Sequence, residues 1–294
     1  MGMQTGQSES LTLGDYEIHI AREGFASIRH VASQEIMHSR TPPMEEARNL
    51  YVEQSRLSRH LRSEEESDIV IWDVGLGAAA NAMAAIECYE AQTNPVRGLQ
   101  IISFENDLDS LRLALRHSEK FPYLKHSAPR AILENATWQS ERHPKLKWLL
   151  IPGSYPQTIG AAPLPPDIIF YDMFSNKSFS EPWGCHAFRE LYTVCRGRSV
   201  QLFTYTCSTA ARVAMLSAGF HLAKGRNAGE KLETTIAFTP EAYRQASFPH
   251  QNILAEEWLG KWKRSTARFP ADIPVAEYPV FEKIILDHPQ FREL

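Results

Sequence analysis

Residues 69–77 read Ile69-Val70-Ile71-Trp72-Asp73-Val74-Gly75-Leu76-Gly77, an apolar run that ends in an acid and two spaced glycines. The alanine-rich segment 78–85 follows directly and predicts a helix. Glycines at such a turn let the backbone approach a ligand that a Cβ atom would block. A buried strand, a glycine turn and a helix in this order are typical of the first βα unit of a nucleoside-cofactor fold.

The choice of cofactor depends on the acids around this turn. Glu105 ends the next apolar run, 99–105, where a carboxylate can accept hydrogen bonds from two ribose hydroxyls. Asp73 precedes the first glycine by two residues and can lie near the cationic amino-acid end of S-adenosylmethionine (SAM). Dinucleotide sites prefer a third glycine, which is Ala80 here, although a looser motif allows alanine. The pattern favours SAM; the alternative is a turn whose glycines serve packing alone.

The composition is that of an ordinary folded protein. With 294 residues, 43% apolar and 22% charged, the chain suits one large α/β domain with additions. No apolar run approaches the length of a membrane span, and residues 1–15 lack the pattern of a signal peptide, so a cytoplasmic protein is expected. The four cysteines form no C-x-x-C pair, so neither a zinc site nor a disulfide framework is predicted and no metal is expected.

Charge is unevenly distributed along the chain. The net charge of −4 argues mildly against a surface coated for nucleic acid. Residues 111–150, however, carry eight Lys and Arg against three acids, and a second basic cluster, 261–268, is interleaved with Trp258 and Trp262. Each basic segment is either a set of solvated helix faces or a surface that follows phosphates.

Alternating strand and helix patterns predict a Rossmann-like α/β fold with a doubly wound, mostly parallel sheet. Seven strands are predicted, the last two as an antiparallel hairpin: 68–73, 99–105, 146–151, 167–172, 199–205, 220–223 and 233–238. An N-terminal extension, 1–62, is predicted to contain a β-hairpin (16–20 and 25–29) and a helix at 44–61. The main domain then covers 63–240. A C-terminal extension, 241–294, has a predicted helix near 251–264 and either covers the sheet edge or contacts a nucleic acid.

Further candidate side chains lie where strands end, which is where ligands bind in such sheets. Asp172 ends the strand 167–172 and either orients a nucleophile, takes its proton, or caps the following turn. Phe174, Trp183 and Tyr205 lie near one rim with Tyr171 and suit stacking of a flat heterocycle, although each taken alone is more often a core residue than a stacking surface. Lys231 belongs to a loop, 225–231, that either closes over substrate or is a plain hairpin loop.

These residues together resemble the MnmC-type methyltransferase domain, over about residues 16–240. That family completes the 5-methylaminomethyl(-2-thio)uridine modification at the wobble position of bacterial tRNA. The resemblance is carried by short stretches at 172–175 with Trp183, 204–206, Arg212, 218–220, 229–233, and an entry segment at 37–39, 45–47 and 50–52.

The resemblance implies a class I SAM-dependent N-methyltransferase acting on wobble 5-aminomethyl(-2-thio)uridine, with tRNA bound through the basic segments 111–150 and 261–268. Asp73, Gly75 and Gly77 would line SAM, Glu105 would bind its ribose, and Asp172 would bind the target amine. The chain is too short for the flavin-dependent domain of the bifunctional enzymes, so it resembles the stand-alone form. Two further features depart from the family: Ser175-Asn176-Lys177 replaces a proline-containing stretch, and the family explains neither the acidic net charge nor the C-terminal extension.

Three other functions remain open from sequence. One is a methyltransferase for a small-molecule amine. Another is an aminopropyltransferase resembling spermidine synthases, which requires an acidic polyamine pocket; Asp172 fits this, but the basic segment 111–150 does not. The third is a degenerate methyltransferase fold that serves as a binding scaffold, against which the intact acids and glycines of the site argue.

Overall fold

An eight-stranded mixed sheet lies at the centre of the computed structural model, which describes residues 10–38, 40–93, 95–227, 233–245 and 252–292. The strands of the protein are β1 Thr12–Leu13, β2 Tyr16–Ile20, β3 Ala26–His30, β4 Ile69–Val74, β5 Leu99–Glu105, β6 Thr137–Gln139, β7 Leu146–Pro152, β8 Ile168–Tyr171, β9 Gln201–Thr204, β10 His221–Gly225 and β11 Thr234–Phe238. The spatial order of the large sheet is β10-β11-β9-β8-β4-β5-β7-β6.

Helices cover both faces of this sheet. They are α1 Pro43–Ala47, a π-helical turn Arg48–Val52, α2 Leu57–Leu61, α3 Ala80–Glu90, α4 Asp109–Arg116, α5 Ser127–Asn135, α6 Cys185–Cys195, α7 Thr209–Ala218, α8 Pro240–Gln245, α9 Glu256–Arg264 and α10 Tyr278–Leu286. Alternate residues of β4 point to opposite layers: Ile71 packs with α3, α4 and α5, and Trp72 packs with α6 and α7. A strand covered on both faces is apolar at nearly every position, which is why this run was recognisable.

The predicted α/β class is confirmed, with one addition to the sheet. All seven predicted strands are present, and β10 and β11 form the expected antiparallel hairpin. The eighth strand, β6, pairs antiparallel with β7 and was not predicted. Its three residues are only partly covered, so they leave no apolar run in the sequence.

The N-terminal extension differs from its prediction in one element. The hairpin forms as β2 and β3, and β1 adds a third strand. The single helix predicted over 44–61 is wrong, because α1 continues into the π-helical turn and the chain then breaks before α2. The break occurs at Arg56, whose φ of 55° lies in the left-handed region that ends a right-handed helix.

The C-terminal extension covers the outer edge of β10. Ile253 forms a β-bridge to Ala223, and the Leu254 amide donates to the Leu222 carbonyl over 3.0 Å. The Gln290 side chain completes the cover: its Oε1 accepts from the Leu222 amide at 2.5 Å, and its Nε2 donates to the Leu222 carbonyl at 2.9 Å. Trp262, which lies within the basic cluster 261–268 of the sequence, is buried in the core.

Replacing Gln290 with alanine is expected to lower the free energy of unfolding by about 1–3 kcal/mol, because it leaves buried backbone groups without partners. Gln290 is 1% exposed, and its Nε2 also donates to the Leu254 carbonyl at 2.7 Å. Urea unfolding measures the change. The exposed Gln139→Ala is the matched control and should change stability by less than about 0.5 kcal/mol. Equal effects of the two variants would contradict the role of Gln290.

Candidate functional site

A cleft of about 770 Å³ opens at the carboxyl ends of β4, β5 and β8. The turn 75–78 and the segment 104–107 form one wall, and the loop 172–182 forms another. The third wall, 35–41, comes from the N-terminal extension. The large sheet therefore supplies the floor of the cleft, and a segment more than thirty residues earlier in the chain closes it.

The two glycines of the β4–α3 turn are required by their backbone conformation and by close neighbours. Gly75 has φ of 91°, and a Cβ there would lie 2.6 Å from the Asp172 carbonyl oxygen. Gly77 has φ of 51°, and a Cβ there would lie 3.2 Å from Met37 Sδ. Both positions lie in the region that side chains with a Cβ avoid. The bare backbone of this turn therefore faces the cleft as a surface for a ligand.

Glu105 fixes the shape of this turn from the neighbouring strand. Its Oε2 accepts from the Gly77 amide at 3.1 Å, and its Oε1 accepts from the Asn106 and Asp107 amides at 2.9 and 3.0 Å. Burial raises the pKa of this carboxyl above its ordinary value, although the three backbone donors oppose that change. A carboxylate has about four acceptor positions, so one is left for a hydroxyl donor in the cleft.

Asp73 lies beneath the turn, fully buried, and does not line the cleft. Its Oδ2 accepts from Ser103 Oγ at 2.7 Å, and that hydroxyl in turn accepts from Trp148 Nε1 at 2.8 Å. Its Oδ1 is buried with no hydrogen-bond partner among the described residues. Burial raises the pKa of Asp73 to about 7, opposed by the Ser103 hydrogen bond and reinforced by the charges of Asp172 and Glu105.

The raised pKa of Asp73 predicts a dependence of stability on pH. The folded protein keeps this proton up to about pH 7, whereas the unfolded chain releases it near the ordinary value of 3.8. The free energy of unfolding should therefore fall as pH rises from about 4 to 7, by about 4 kcal/mol from this group, and level off above that. Urea unfolding of Asp73→Asn should show this slope reduced relative to the unaltered protein; parallel pH profiles would contradict it.

Asp172 follows β8 directly and faces the cleft. Its Oδ2 accepts from Asn81 Nδ2, in the first turn of α3, at 2.8 Å. Burial raises the pKa of the Asp172 carboxyl, while the charge of His38 and the Asn81 hydrogen bond oppose the change. Burial first, and then the charge of Asp172, raise the pKa of the buried Tyr51 hydroxyl well above its ordinary value. One carboxylate, positioned by an amide, therefore points into the cleft.

His38 and Glu46 join Asp172 in the cleft and were not predicted as individual site residues. His38 Nδ1 lies 3.1 Å from Glu46 Oε2. Burial lowers the pKa of His38, but the hydrogen bond and charge of Glu46 and the charge of Asp172 outweigh it and raise the pKa above 6.5. The only sequence signal for this pair was the resemblance of the segments 37–39 and 45–47 to the family.

The predicted aromatic residues divide between the cleft and the core. Phe174 and Tyr205 line the cleft, and the Tyr205 hydroxyl donates to the Met173 carbonyl at 3.0 Å. Trp183 and Tyr171 lie behind it in the core. Trp183 Nε1 donates to the Phe174 carbonyl at 2.6 Å, so this indole fixes the backbone of the loop 172–182.

The N-terminal extension supplies aromatic rings that sequence reasoning missed. The Tyr16 ring lies 6.5 Å from the Phe174 ring at an interplanar angle of 15°. His30 is 5.7 Å from both rings, and the 38%-exposed Phe179 is 5.4 Å from Phe174. All four line the cleft, so one wall is a continuous aromatic surface. Nothing local in the sequence of β2 and β3 indicates this, because their folding back onto the loop 172–182 brings these rings together.

Two further parts of the predicted site are the stretch that begins at Ser175 and the loop that contains Lys231. Ser175, at the departure from the family pattern, is bound by Glu35: its amide donates to Oε1 at 2.7 Å and its hydroxyl to Oε2 at 3.1 Å. The loop 172–182 is therefore attached to the N-terminal extension. Lys231 and its stretch 229–232 lie outside the described residues.

The basic side chains of the segment 111–150 face solvent. All eight of its Lys and Arg side chains are exposed. Arg112 pairs with Asp109, and Lys120 pairs with Glu119. Within the described ranges, the other six basic residues have no salt-bridge partner: Arg116, Lys125, Arg130, Arg142, Lys145 and Lys147. The segment begins one residue after Ser110, which lines the cleft.

The basic segment 261–268 is more engaged with the protein itself. Lys261 lies 3.7 Å from Glu233, and Arg268 lies 3.2 Å from Glu282 and 5.0 Å above the Trp262 ring. Lys263 and Arg264 are exposed. Because half of its members are paired with protein groups, this segment offers fewer free charges than 111–150.

In the described part of the chain, no group of three or more His, Cys, Asp and Glu side chains is arranged to bind a metal ion. None of its helices combines the length and the apolarity that crossing a membrane requires.

Comparisons with known proteins agree with this architecture. A family model described as S-adenosyl-L-methionine-dependent methyltransferase matches residues 132–240. A comparison with curated proteins finds no match. The chain superposes on the crystal structure of MnmC2 from Aquifex aeolicus with a TM-score of 0.67 and 21% identity, covering 97% of this chain and 88% of that one.

Two other solved structures match with lower TM-scores. A probable spermidine synthase from Corynebacterium glutamicum gives a TM-score of 0.44 at 11% identity, covering 93% of this chain and 84% of that one. Precorrin-6y C5,15-methyltransferase from Geobacter metallireducens gives 0.38 at 14% identity, covering 63% and 85%. The fold and the family match together define the class: a methyltransferase that uses SAM.

The residues of the cleft fit such a cofactor. A backbone turn bare of Cβ atoms and an acceptor position on Glu105 offer polar groups to a cationic nucleoside, and beneath the turn one buried oxygen of Asp73 has no hydrogen-bond partner among the described residues. The negative charges of the acids suit the positive charge of a sulfonium. Because SAM has no phosphate group, the site does not need a helix N-terminus that points at a phosphate. SAM is therefore the cofactor of this protein.

Proposed function

We propose that the protein methylates the aminomethyl group of wobble 5-aminomethyl(-2-thio)uridine in tRNA, as a stand-alone N-methyltransferase to which another enzyme supplies the aminomethyl group. The observation that carries the proposal is Asp172, a single carboxylate held by Asn81 and aimed into the cleft beside the glycine turn. We further propose that residues 63–240 are the methyltransferase domain, with 1–62 and 241–294 as extensions. A tRNA substrate implies action in the cytoplasm.

The charge of the cleft supports a cationic acceptor. Among the described residues that line the cleft, Arg40 is the one Lys or Arg side chain. Two histidines line the cleft as well. The lining carboxylates number seven: Asp15, Glu35, Glu46, Glu105, Asp107, Asp172 and Glu181. An alkylammonium is stabilised among such groups, whereas a phosphate or carboxylate is repelled.

Asp172 has two tasks in the proposed reaction. Its carboxylate binds the ammonium form of the acceptor, and its fixed position orients the nitrogen after a proton is lost. Asn81 keeps the carboxylate from rotating, because its amide occupies Oδ2. When bound, SAM supplies an electrophilic methyl group on a sulfonium, whose positive charge favours loss of the proton from a neighbouring ammonium.

The cofactor roles follow from the turn. We propose that Gly75 and Gly77 contact SAM through their backbone, that Glu105 accepts a ribose hydroxyl at its remaining position, and that Asp73 acts from beneath through its unpartnered oxygen. These four residues surround the carboxyl ends of β4 and β5, where the fold binds ligands.

The target base would contact the aromatic wall. We propose that Phe174 and Tyr205 bind the uracil ring together with Tyr16, and that Trp183 acts indirectly by fixing the Phe174 carbonyl. Base–aromatic stacking contributes about 1–3 kcal/mol per base. Lys231 stays a predicted substrate contact.

We propose that tRNA binds mainly through the segment 111–150. Its exposed charges begin beside the cleft, and most lack an acidic partner in the described ranges. The segment 261–268 would contribute less, through Lys263 and Arg264. Each phosphate contact should add about 0.7–0.9 to the slope of log affinity against log salt concentration.

The test is transfer of labelled methyl groups from SAM to bulk tRNA of a strain that lacks this methylation. We expect label in 5-methylaminomethyl(-2-thio)uridine at the wobble position. Arg130→Ala combined with Lys125→Ala should weaken tRNA binding, flatten its salt dependence, and leave SAM affinity unchanged. No label in tRNA, despite measurable SAM binding in calorimetry, would refute the proposal.

The acidic cleft also favours a second candidate, transfer to a free polyamine or other small amine. The same assay with putrescine or spermidine as acceptor, and with SAM or decarboxylated SAM as donor, separates the two. Transfer to a free amine faster than to tRNA would favour this candidate.

A further inference from the structure

We infer that His38, held by Glu46, accepts the proton that the acceptor amine must lose before methyl transfer. This inference rests on the proposed amine acceptor and assigns its base to the N-terminal extension. Asp172 then binds and orients the amine, and His38 takes its proton. Neither His38 nor Glu46 belongs to the large sheet, so the reaction centre is complete only when the extension is folded onto it.

The imidazole is held in a defined position. The His38 amide donates to Ser27 Oγ of β3 at 3.0 Å, which fixes the backbone, and Nδ1 lies 3.1 Å from Glu46 Oε2. Both side chains line the cleft with Asp172. Nε2 has no hydrogen-bond partner in the described part of the chain. The free ring nitrogen is therefore the one available to a ligand.

The partner of Nδ1 determines which nitrogen is basic. An ionised carboxylate only accepts hydrogen bonds, so Glu46 requires the proton of neutral His38 to be on Nδ1. The lone pair is then on Nε2, which can accept a proton from the amine. The imidazolium that forms is stabilised by the negative charge of Glu46, as in other carboxylate–histidine pairs.

The charges around His38 suit this step. Glu46 on α1 and Asp172 after β8 act on the ring directly, and Glu35 and Arg40 line the same cleft from its own segment. Burial lowers the pKa of His38, but Glu46 and Asp172 raise it by more. A base with a raised pKa is closer in strength to an amine than a carboxylate is, so the proton moves more easily.

The step balances in atoms and charge. The ammonium R–CH₂–NH₃⁺ gives one proton to Nε2 and becomes R–CH₂–NH₂. Its nitrogen lone pair forms the N–C bond to the methyl group while the C–S bond of the sulfonium breaks, and sulfur keeps that electron pair. The product is R–CH₂–NH₂⁺–CH₃ with a neutral thioether, and the imidazolium later releases its proton to water.

Single-turnover methyl transfer measured against pH tests the inference. His38→Asn retains a donor near the position of Nδ1 but has no basic nitrogen, so the rate should fall about 10²-fold and lose the rise that deprotonation of His38 causes. Glu46→Gln should move that rise to lower pH. His186→Asn, in an exposed residue of α6, is the control and should keep the wild-type profile.

A second measurement does not depend on turnover. The imidazole ¹³C–¹H resonance of His38 should titrate above the ordinary pH of a histidine, and Glu46→Gln should lower its midpoint. SAM affinity should stay unchanged in both variants. A His38→Asn enzyme with the wild-type pH profile would overturn the inference and leave the proposed function intact. A wild-type enzyme that methylates no amine would overturn both.

Discussion

Replacing Asp172 with asparagine is expected to slow methyl transfer to tRNA by about 10²–10⁴-fold. The substitution keeps the shape of the side chain and the contact with Asn81, whose amide can face the new carbonyl oxygen. It removes the negative charge that binds the ammonium form of the acceptor. The loss should appear in the rate of the chemical step and in acceptor affinity, because in the proposed role the carboxylate both binds and orients the nitrogen.

Single-turnover rates and SAM calorimetry together separate this effect from misfolding. SAM affinity should change little, since the part of Asp172 closest to Gly75 is its backbone carbonyl, which the substitution keeps. Asp167→Asn is the matched control: Asp167 precedes β8 at its opposite end, bonds the Val70 amide, and does not line the cleft. If both variants retain wild-type rates, the role proposed for Asp172 is excluded.

Replacing Gly75 with alanine is expected to raise the dissociation constant of SAM by at least about tenfold and to slow transfer by about 10²-fold. The added Cβ would lie 2.6 Å from the Asp172 carbonyl oxygen and 3.0 Å from Met173 Sδ. Its φ of 91° is also strained for alanine, by about 1–3 kcal/mol. The backbone must move, and a shift of about 1 Å at Asp172 is enough to misalign the reacting nitrogen.

Gly160→Ala provides the comparison for this variant. A Cβ at Gly160 would meet nothing within 4 Å, and its φ is not in the left-handed region. Its SAM affinity and thermal unfolding midpoint should match those of the unaltered protein. A Gly75→Ala protein that binds SAM normally would show that the turn is not the cofactor contact.

The sheet was predictable from sequence where burial leaves a clear pattern. Runs such as Ile69–Val74 and Ile168–Tyr171 are covered on both faces, so apolar residues occupy nearly every position. The short strand Thr137–Gln139 has no such pattern. The helix break at Arg56 depends on the left-handed conformation of a single residue, and the local sequence around it still predicts a helix.

The candidate site was predictable only in the part that strand ends supply. Glu105 and Asp172 follow predicted strands directly, so their meeting at one edge follows from a parallel sheet. Tyr16 and His38 reach the cleft by tertiary folding of a distant segment, for which periodicity gives no signal. Trp183 shows the converse: its spacing suggested the rim, but its large apolar ring is buried in the core.

Opposite charges on two neighbouring surfaces have a consequence for selectivity among modified nucleotides. Seven carboxylates are among the described residues that line the cleft, and the adjoining segment 111–150 presents eight exposed cations. Phosphates are attracted to the second surface and repelled by the first, so in the proposed reaction a nucleotide would enter with its base leading and its backbone outside. Side groups that end in a hydroxyl carry no charge and so gain less from the cleft than an ammonium does, and those that end in a carboxylate are repelled. In the proposed reaction, discrimination against incompletely processed bases then arises from the electrostatic field, without a dedicated contact for each wrong group.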